Sequence, residues 1–246
     1  MSRRRITLAA FCALLTACGG GTDARPEPPR IVTTQVGAGP QAAWIIRPDV
    51  DRPLPGVLFL HGWGATRPDY YRPWLDHLAR EGNAVIYPRY QESVLLPPAQ
   101  ALGNVIAGVR LALPRADLAP GSLVVAGHSA GGALAADYAA LAGVAKLPRP
   151  RAVLSMYPGR SLRRFRLRLP EVDNRRVPAG TRVVAMAGAR DTVVGTRVAR
   201  RIARATGGDY VLVRDPAVAD HLGPQRSGPA TRRIFWRRLD ALIRAR

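Results

Sequence analysis

The sequence predicts an α/β fold: a mostly parallel, twisted sheet flanked by helices, with a minimal lid. Three observations predict it. From residue 31 onward, short β-rich runs alternate with longer segments of helical pattern, as strand–helix–strand crossovers require. Most of the short runs are continuously apolar rather than alternating, the pattern of strands buried on both faces. The chain has 246 residues and no internal repeat, enough for one domain with a proper core.

The first segment is of another kind. Residues 1–17 place Arg3, Arg4 and Arg5 before an apolar core, Ile6 to Ala17, that is too short to span a bilayer. That is the architecture of a secretory signal. Leu15-Thr16-Ala17-Cys18 resembles a bacterial lipobox. The resemblance implies cleavage before Cys18 and acylation of it, two or more chains giving a stable anchor. An ordinary signal with an accidental cysteine is the alternative. Residues 18–30 run into GGGTDARPEPPR, small, polar and proline-rich, and read as a flexible tether. The expected location is the bacterial cell envelope, on the periplasmic or outer-membrane side in a Gram-negative host, with the membrane as partner through Cys18.

The domain itself is expected over 31–246. IVTTQV (31–36) and AAWIIR (42–47), separated by GAGP, suggest an opening hairpin. GVLFL (56–60), NAVIY (83–87), SLVVAG (122–127), AVLSMY (152–157), TRVVAMAG (181–188) and DYVLVR (209–214) are the buried-strand candidates. Between them, helical patterns cover 69–82, 99–113, 129–143 and 192–207. The last helix, 230–246, sets Phe235, Leu239, Leu242 and Ile243 on one face. Such a face covers a sheet or lies on a membrane surface, and the first reading is preferred.

Composition narrows the function. The formal charge is +20, almost all of it arginine spread from end to end. The densest cluster is RSLRRFRLRLPEVDNRR, 160–176, but a basic surface is the preferred reading and no nucleic acid is expected as a partner. Both cysteines, Cys12 and Cys18, precede the domain, which therefore has no disulfide, cysteine nucleophile or thiolate metal site. No HExxH or Rossmann fingerprint is present, so neither metal nor nucleotide cofactor is expected.

One stretch carries chemistry. In AGHSAGG, residues 126–132, Ser129 follows an apolar strand pattern and opens a helical one. A G-x-S-x-G alone is common by chance. In this context it is a nucleophile elbow, with Gly127 and Gly131 leaving room where strand and helix backbones nearly touch. The helix N-terminus favours developing negative charge.

With these residues the chain resembles the α/β-hydrolase superfamily over essentially 31–246. It more closely resembles the smaller dienelactone-hydrolase-like and cutinase-like members, with serine and not cysteine as nucleophile. The family order is nucleophile, acid, histidine. Ser129 matches the nucleophile, Asp191 in AGARDTVVG the acid, and His221 in VADHLGP the base. Asp191 also fits a helix N-cap, and Asp215 and Asp220 are fallback acids. HGWG, His61 to Gly64, follows the strand GVLFL, so the resemblance implies an oxyanion hole from the Trp63 and Ala130 amides. HGWG is not the HGGG of hormone-sensitive-lipase-like esterases, which argues against that branch. Trp63 becomes a candidate wall of the substrate pocket. His128 is a second substrate-binding candidate, although packing within the elbow suits it better. His77 is expected as a surface or core residue.

About twenty residues separate the strand patterns at Tyr157 and Thr181, too few for a large lid. Arg160, Arg163 and Arg164 suit a solvated basic loop, with attraction of acidic substrates the lesser alternative. The expected function is a serine hydrolase cleaving carboxylic esters, small or lipid- and polymer-borne, through an acyl-enzyme. A peptidase, thioesterase or acyltransferase on the same fold is the alternative, as is a non-catalytic envelope lipoprotein.

Overall fold

The computed structural model describes residues 29–95, 97–162 and 167–245. The predicted signal, Cys18, most of the tether, Arg163 and Arg164 lie outside the described residues. In chain order the strands are β1 (Ile31–Val36), β2 (Ala43–Pro48), β3 (Gly56–Leu60), β4 (Ala84–Pro88) and β5 (Val124–His128). They continue with β6 (Ala152–Met156), β7 (Ser161–Leu162), β8 (Leu167–Arg168), β9 (Arg182–Gly188) and β10 (Asp209–Val213).

Eight of these form one sheet in the order β1-β2-β4-β3-β5-β6-β9-β10. The opening hairpin β1–β2 is antiparallel, β2 joins β4 antiparallel, and every other pairing is parallel. The continuous apolar runs are explained by the register. Ile45, Ile86, Leu58, Val125, Val153 and Val183 sit side by side across six strands, and all six enter one core cluster. One residue along, Ile46, Val85, Val57, Val124 and Ala152 form the next row and enter the other cluster. Both faces of these central strands are buried, so apolar residues occupy both parities. Full burial of each such Val, Leu or Ile contributes about 1.5–3 kcal/mol.

Helices α2 (Ala101–Ala116), α3 (Ala130–Leu141) and α4 (Arg197–Thr206) cover the first face. Helix α1 (Arg72–Arg80) and the C-terminal segment cover the second. That segment is α5 (Pro229–Thr231), a π-helical turn over Arg232–Trp236, and α6 (Arg237–Arg244). Phe235, Leu239 and Leu242 are buried against the sheet, so the sheet-covering reading of this helix holds. Trp236 stacks on Trp74 of α1, and His77 of α1 lies 3.0 Å from Asp240. Helix α3 is buried on all sides through Ala140, which only small residues allow so close to β3, β5 and β6.

Two expectations shift. The helix expected from 192 starts at Arg197, because Asp191 Oδ1 accepts from the amides of Val193 and Val194 and holds a separate turn there. Gly195, at φ 65°, then redirects the chain. The stretch between β6 and β9 contains the antiparallel pair β7–β8, whose short polar runs carry no strand signal of their own.

Candidate active site

The sheet changes direction of winding at β3, with β4 on one side and β5 on the other. At such a switch point the loops after the carboxyl ends of the strands open a crevice. His61–Gly64 follows β3, Ser129 follows β5, Asp191 lies three residues past β9, and His221 is in the loop after β10.

Ser129 has φ 57° and ψ −121°, left-handed backbone that an L-residue adopts only under constraint. The constraint is visible on both sides. Ser129 N–H donates to the Met156 carbonyl at 3.0 Å, and Ser129 O accepts from Gly159 N–H at 3.0 Å. Gly131 N–H donates to His61 O at 3.0 Å, pinning α3 against the loop after β3. A Cβ on Gly127 would fall 2.1 Å from Gly131 O, and one on Gly131 2.1 Å from Leu60 O. The two glycines therefore permit the elbow by having no side chain.

Ser129, Asp191 and His221 meet. Ser129 Oγ lies 3.0 Å from His221 Nε2, and His221 Nδ1 lies 2.8 Å from Asp191 Oδ2. With Nδ1–H donating to the carboxylate, Nε2 is left to accept the serine proton. The Asp191 carboxylate is fully buried and the imidazole 14 % exposed. Asp191 thus satisfies both sequence readings: Oδ2 orients the histidine, and Oδ1 caps a turn. Asp215 and Asp220 turn elsewhere, to Arg233 and Arg226.

The loop after β3 is held residue by residue. Gly62 N–H donates to Tyr71 Oη, Gly64 N–H to Gln91 Oε1 and Ala65 N–H to Gly62 O, while His61 O accepts from Tyr90 Oη. Among the described residues the amides of Trp63 and Ala130 have no acceptor. Trp63, Ser129 and Ala130 line one narrow crevice, completed by Pro98, Leu169 and Val194. The Trp63 indole is fixed by donation to Val94 O at 3.1 Å.

His128 takes the packing place preferred for it over substrate binding, whereas Arg160 departs from its expected place. His128 is 1 % exposed, and both ring nitrogens are used inside the protein, so it offers nothing to a substrate. Its Nε2–H donates to His221 O at 2.8 Å, and Nδ1 accepts from Tyr71 Oη at 2.8 Å. Burial, with the nearby His221, lowers its pKa to about 3 and keeps it neutral. Arg160 is also buried rather than solvated. It forms a two-pronged pair with Asp137 of α3 and donates to Pro170 O at 2.7 Å. Asn174 Nδ2 donates to the same carboxylate at 3.0 Å. Tyr71, Tyr90 and Gln91, which hold the site together, carry no motif. The one available signal was Asp137, an acid inside an otherwise apolar helix.

With this geometry in view, the comparisons identify the family. Residues 57–208 match the model of a family described as having the α/β-hydrolase fold, and the chain belongs to it. The human arylacetamide deacetylase-like 4 protein is 33% identical over 164 residues, 61% of this chain and 39% of that protein. The chain therefore spans well under half the length of that relative. Among solved structures, carboxyl esterase 2 of Tuber melanosporum superposes with TM-score 0.66 at 18% identity, covering 90% of this chain and 89% of that one. An esterase of Rhizomucor miehei gives 0.65 at 19% identity, covering 89% and 84%. At such identities the likeness is one of fold.

Proposed function

We propose that the protein is a serine hydrolase that cleaves carboxylic esters through an acyl-enzyme. The observation that carries this reading is the run of contacts from a strained serine to a buried carboxylate, 3.0 and 2.8 Å long. Ser129 attacks the ester carbonyl while its proton passes to His221 Nε2. Asp191 holds the imidazole with its proton on Nδ1 and stabilises the cation that forms. The tetrahedral oxyanion takes the unpaired amides of Trp63 and Ala130, a contribution of about 3–4 kcal/mol per donor in related sites. His221 then returns the proton to the departing alcohol, and water repeats the sequence on the acyl group. Trp63 forms one wall of the acyl or alcohol site. No cofactor enters this scheme.

The names of the fold neighbours point to esters and that of the human relative to an arylacetamide, so esters are proposed first and amides are tested beside them. The test is a set of p-nitrophenyl esters run beside peptide p-nitroanilides and acyl thioesters. Ester kcat/KM is expected to exceed the others. Faster turnover of anilides or thioesters would move the assignment to a peptidase or thioesterase. Inertness toward all three, without a covalent adduct, would favour a binding lipoprotein.

The location belongs to the same proposal. The arginine-led apolar segment and Leu15-Thr16-Ala17-Cys18 support a signal ending at residue 17 and lipid on Cys18. Residues 18–30 then tether the hydrolase domain to a bacterial envelope membrane. Cys18→Ser is expected to abolish incorporation of labelled palmitate and to release the protein from membranes. Unchanged partitioning would remove the anchor.

A further inference from the structure

Beside the nucleophile crevice lies a second, larger cleft of about 670 Å³. Gly159, Arg160, Ser161 and Val194 line both. The partition between them is thin: a Cβ on Gly159 would sit 4.0 Å from Ser129 Oγ and 2.3 Å from Val194 Cγ1. The far wall is cationic. Arg197 and Arg201 stand four residues apart on α4, hence on one face of it, and Arg168 of β8 completes the wall.

One acid, Glu171, stands among the lining residues. Its Oε1 accepts from Arg168 at 2.7 Å and from Arg201 at 3.1 Å, which hold its carboxyl below the usual range. Arg197 has no acidic partner among the described residues. Arg160, in the shared wall, is neutralised by Asp137 behind it. The cleft therefore keeps an excess of positive charge, and a concave wall of one sign concentrates its field. Guanidinium forks match carboxylate geometry.

We propose that this cleft receives an ionised carboxylate carried by the ester substrate, so that the enzyme prefers anionic esters. The inference rests on the ester-hydrolase reading of Ser129. It differs from general attraction by a basic surface because it assigns the effect to Arg197 and Arg201 and gives Glu171 the opposite sign. Glu171 occupies part of the place that the substrate carboxylate would take.

The test compares charged and uncharged esters of matched size, with the charge on either side of the scissile bond. Mono-p-nitrophenyl adipate is set against p-nitrophenyl hexanoate, and a carboxyphenyl acetate against phenyl acetate. In at least one pair, the double variant Arg197→Gln/Arg201→Gln is expected to lose about tenfold in kcat/KM for the charged member, mostly through KM. The neutral partner stays within about twofold, since both side chains are exposed. Glu171→Gln is expected to raise kcat/KM for the same charged ester, and added salt to lower it in the wild type. Equal effects on charged and neutral members of both pairs overturn the inference while leaving the ester reading intact. If the wild type turns over none of the four, the ester reading fails and this inference with it.

Discussion

His128 donates its Nε2–H to the backbone carbonyl of His221 at 2.8 Å, so the residue before the proposed nucleophile holds the loop that carries the proposed base. The link continues outward. Nδ1 of His128 accepts from Tyr71, whose oxygen accepts from Gly62 N–H, one residue before the proposed oxyanion donor Trp63. A single buried strut thus connects the elbow, the oxyanion loop and the histidine loop. It works in one protonation state only, with His128 neutral and its proton on Nε2.

That requirement makes stability depend on pH. The His128 pKa is lowered from 6.5 to about 3 by burial, so below pH 6.5 the unfolded chain takes up a proton that the folded chain refuses. Stability from this residue is complete above pH 6.5 and declines as pH falls, by about 2 kcal/mol between pH 6.5 and 5. Urea midpoints at the two pH values check it. His128→Gln is expected to flatten the difference by about that amount.

Tyr71→Phe removes the group that satisfies both Gly62 N–H and His128 Nδ1. Leaving two buried polar atoms without partners is expected to cost about 1–3 kcal/mol. Ester kcat should fall about tenfold with KM nearly constant, since the loss is one of alignment in the transition state. Steady-state kinetics and urea unfolding of the variant measure both.

The Arg160–Asp137 pair is a structural clamp. It joins α3, which begins just after Ser129, to the segment after β6, with side chains 4% and 1% exposed. Arg160→Leu strands a buried carboxylate and is expected to destabilise the fold by about 3–5 kcal/mol. Arg160→Leu/Asp137→Leu should recover most of that loss. A double-mutant cycle in denaturant tests the coupling.

Gly131→Ala brings a methyl group to 2.1 Å from Leu60 O. Since both partners are backbone, the elbow must open, and a loss of more than about 3 kcal/mol is expected. Gly103→Ala is the control, because a Cβ there meets nothing within 4 Å and α2 should gain slightly. Thermal unfolding of the two variants separates the effects.

Most strands of the sheet were legible because each is an apolar run punctuated by Gly, Pro or polar residues, and β1 because it reads as the first arm of a hairpin. Ser129, Asp191 and His221 were legible because family order and strand context agree. The remaining features depend on contacts that leave no local trace. Arg160 reads as one more surface arginine until Asp137, twenty-three residues earlier, is placed opposite it. His128 reads as elbow packing, but its two partners, Tyr71 and His221, are far away in sequence and leave no trace in it. The start of α4 was misplaced because Asp191 Oδ1 captures the two amides that would otherwise open a helix. The β7–β8 pair matches only Ser161 with Arg168 and Leu162 with Leu167, too few residues for a hydrophobic period to mark a strand.

The most direct test is covalent. A fluorophosphonate probe reacts only with a serine whose hydroxyl is activated beside an oxyanion site. The expected result is a single adduct that peptide mass mapping locates on Ser129. Ser129→Ala should remain folded, take up no probe and lose about 10⁴-fold or more in ester turnover. Labelling that persists in the variant, or folded wild-type protein that never labels, would contradict the assignment of Ser129 as nucleophile.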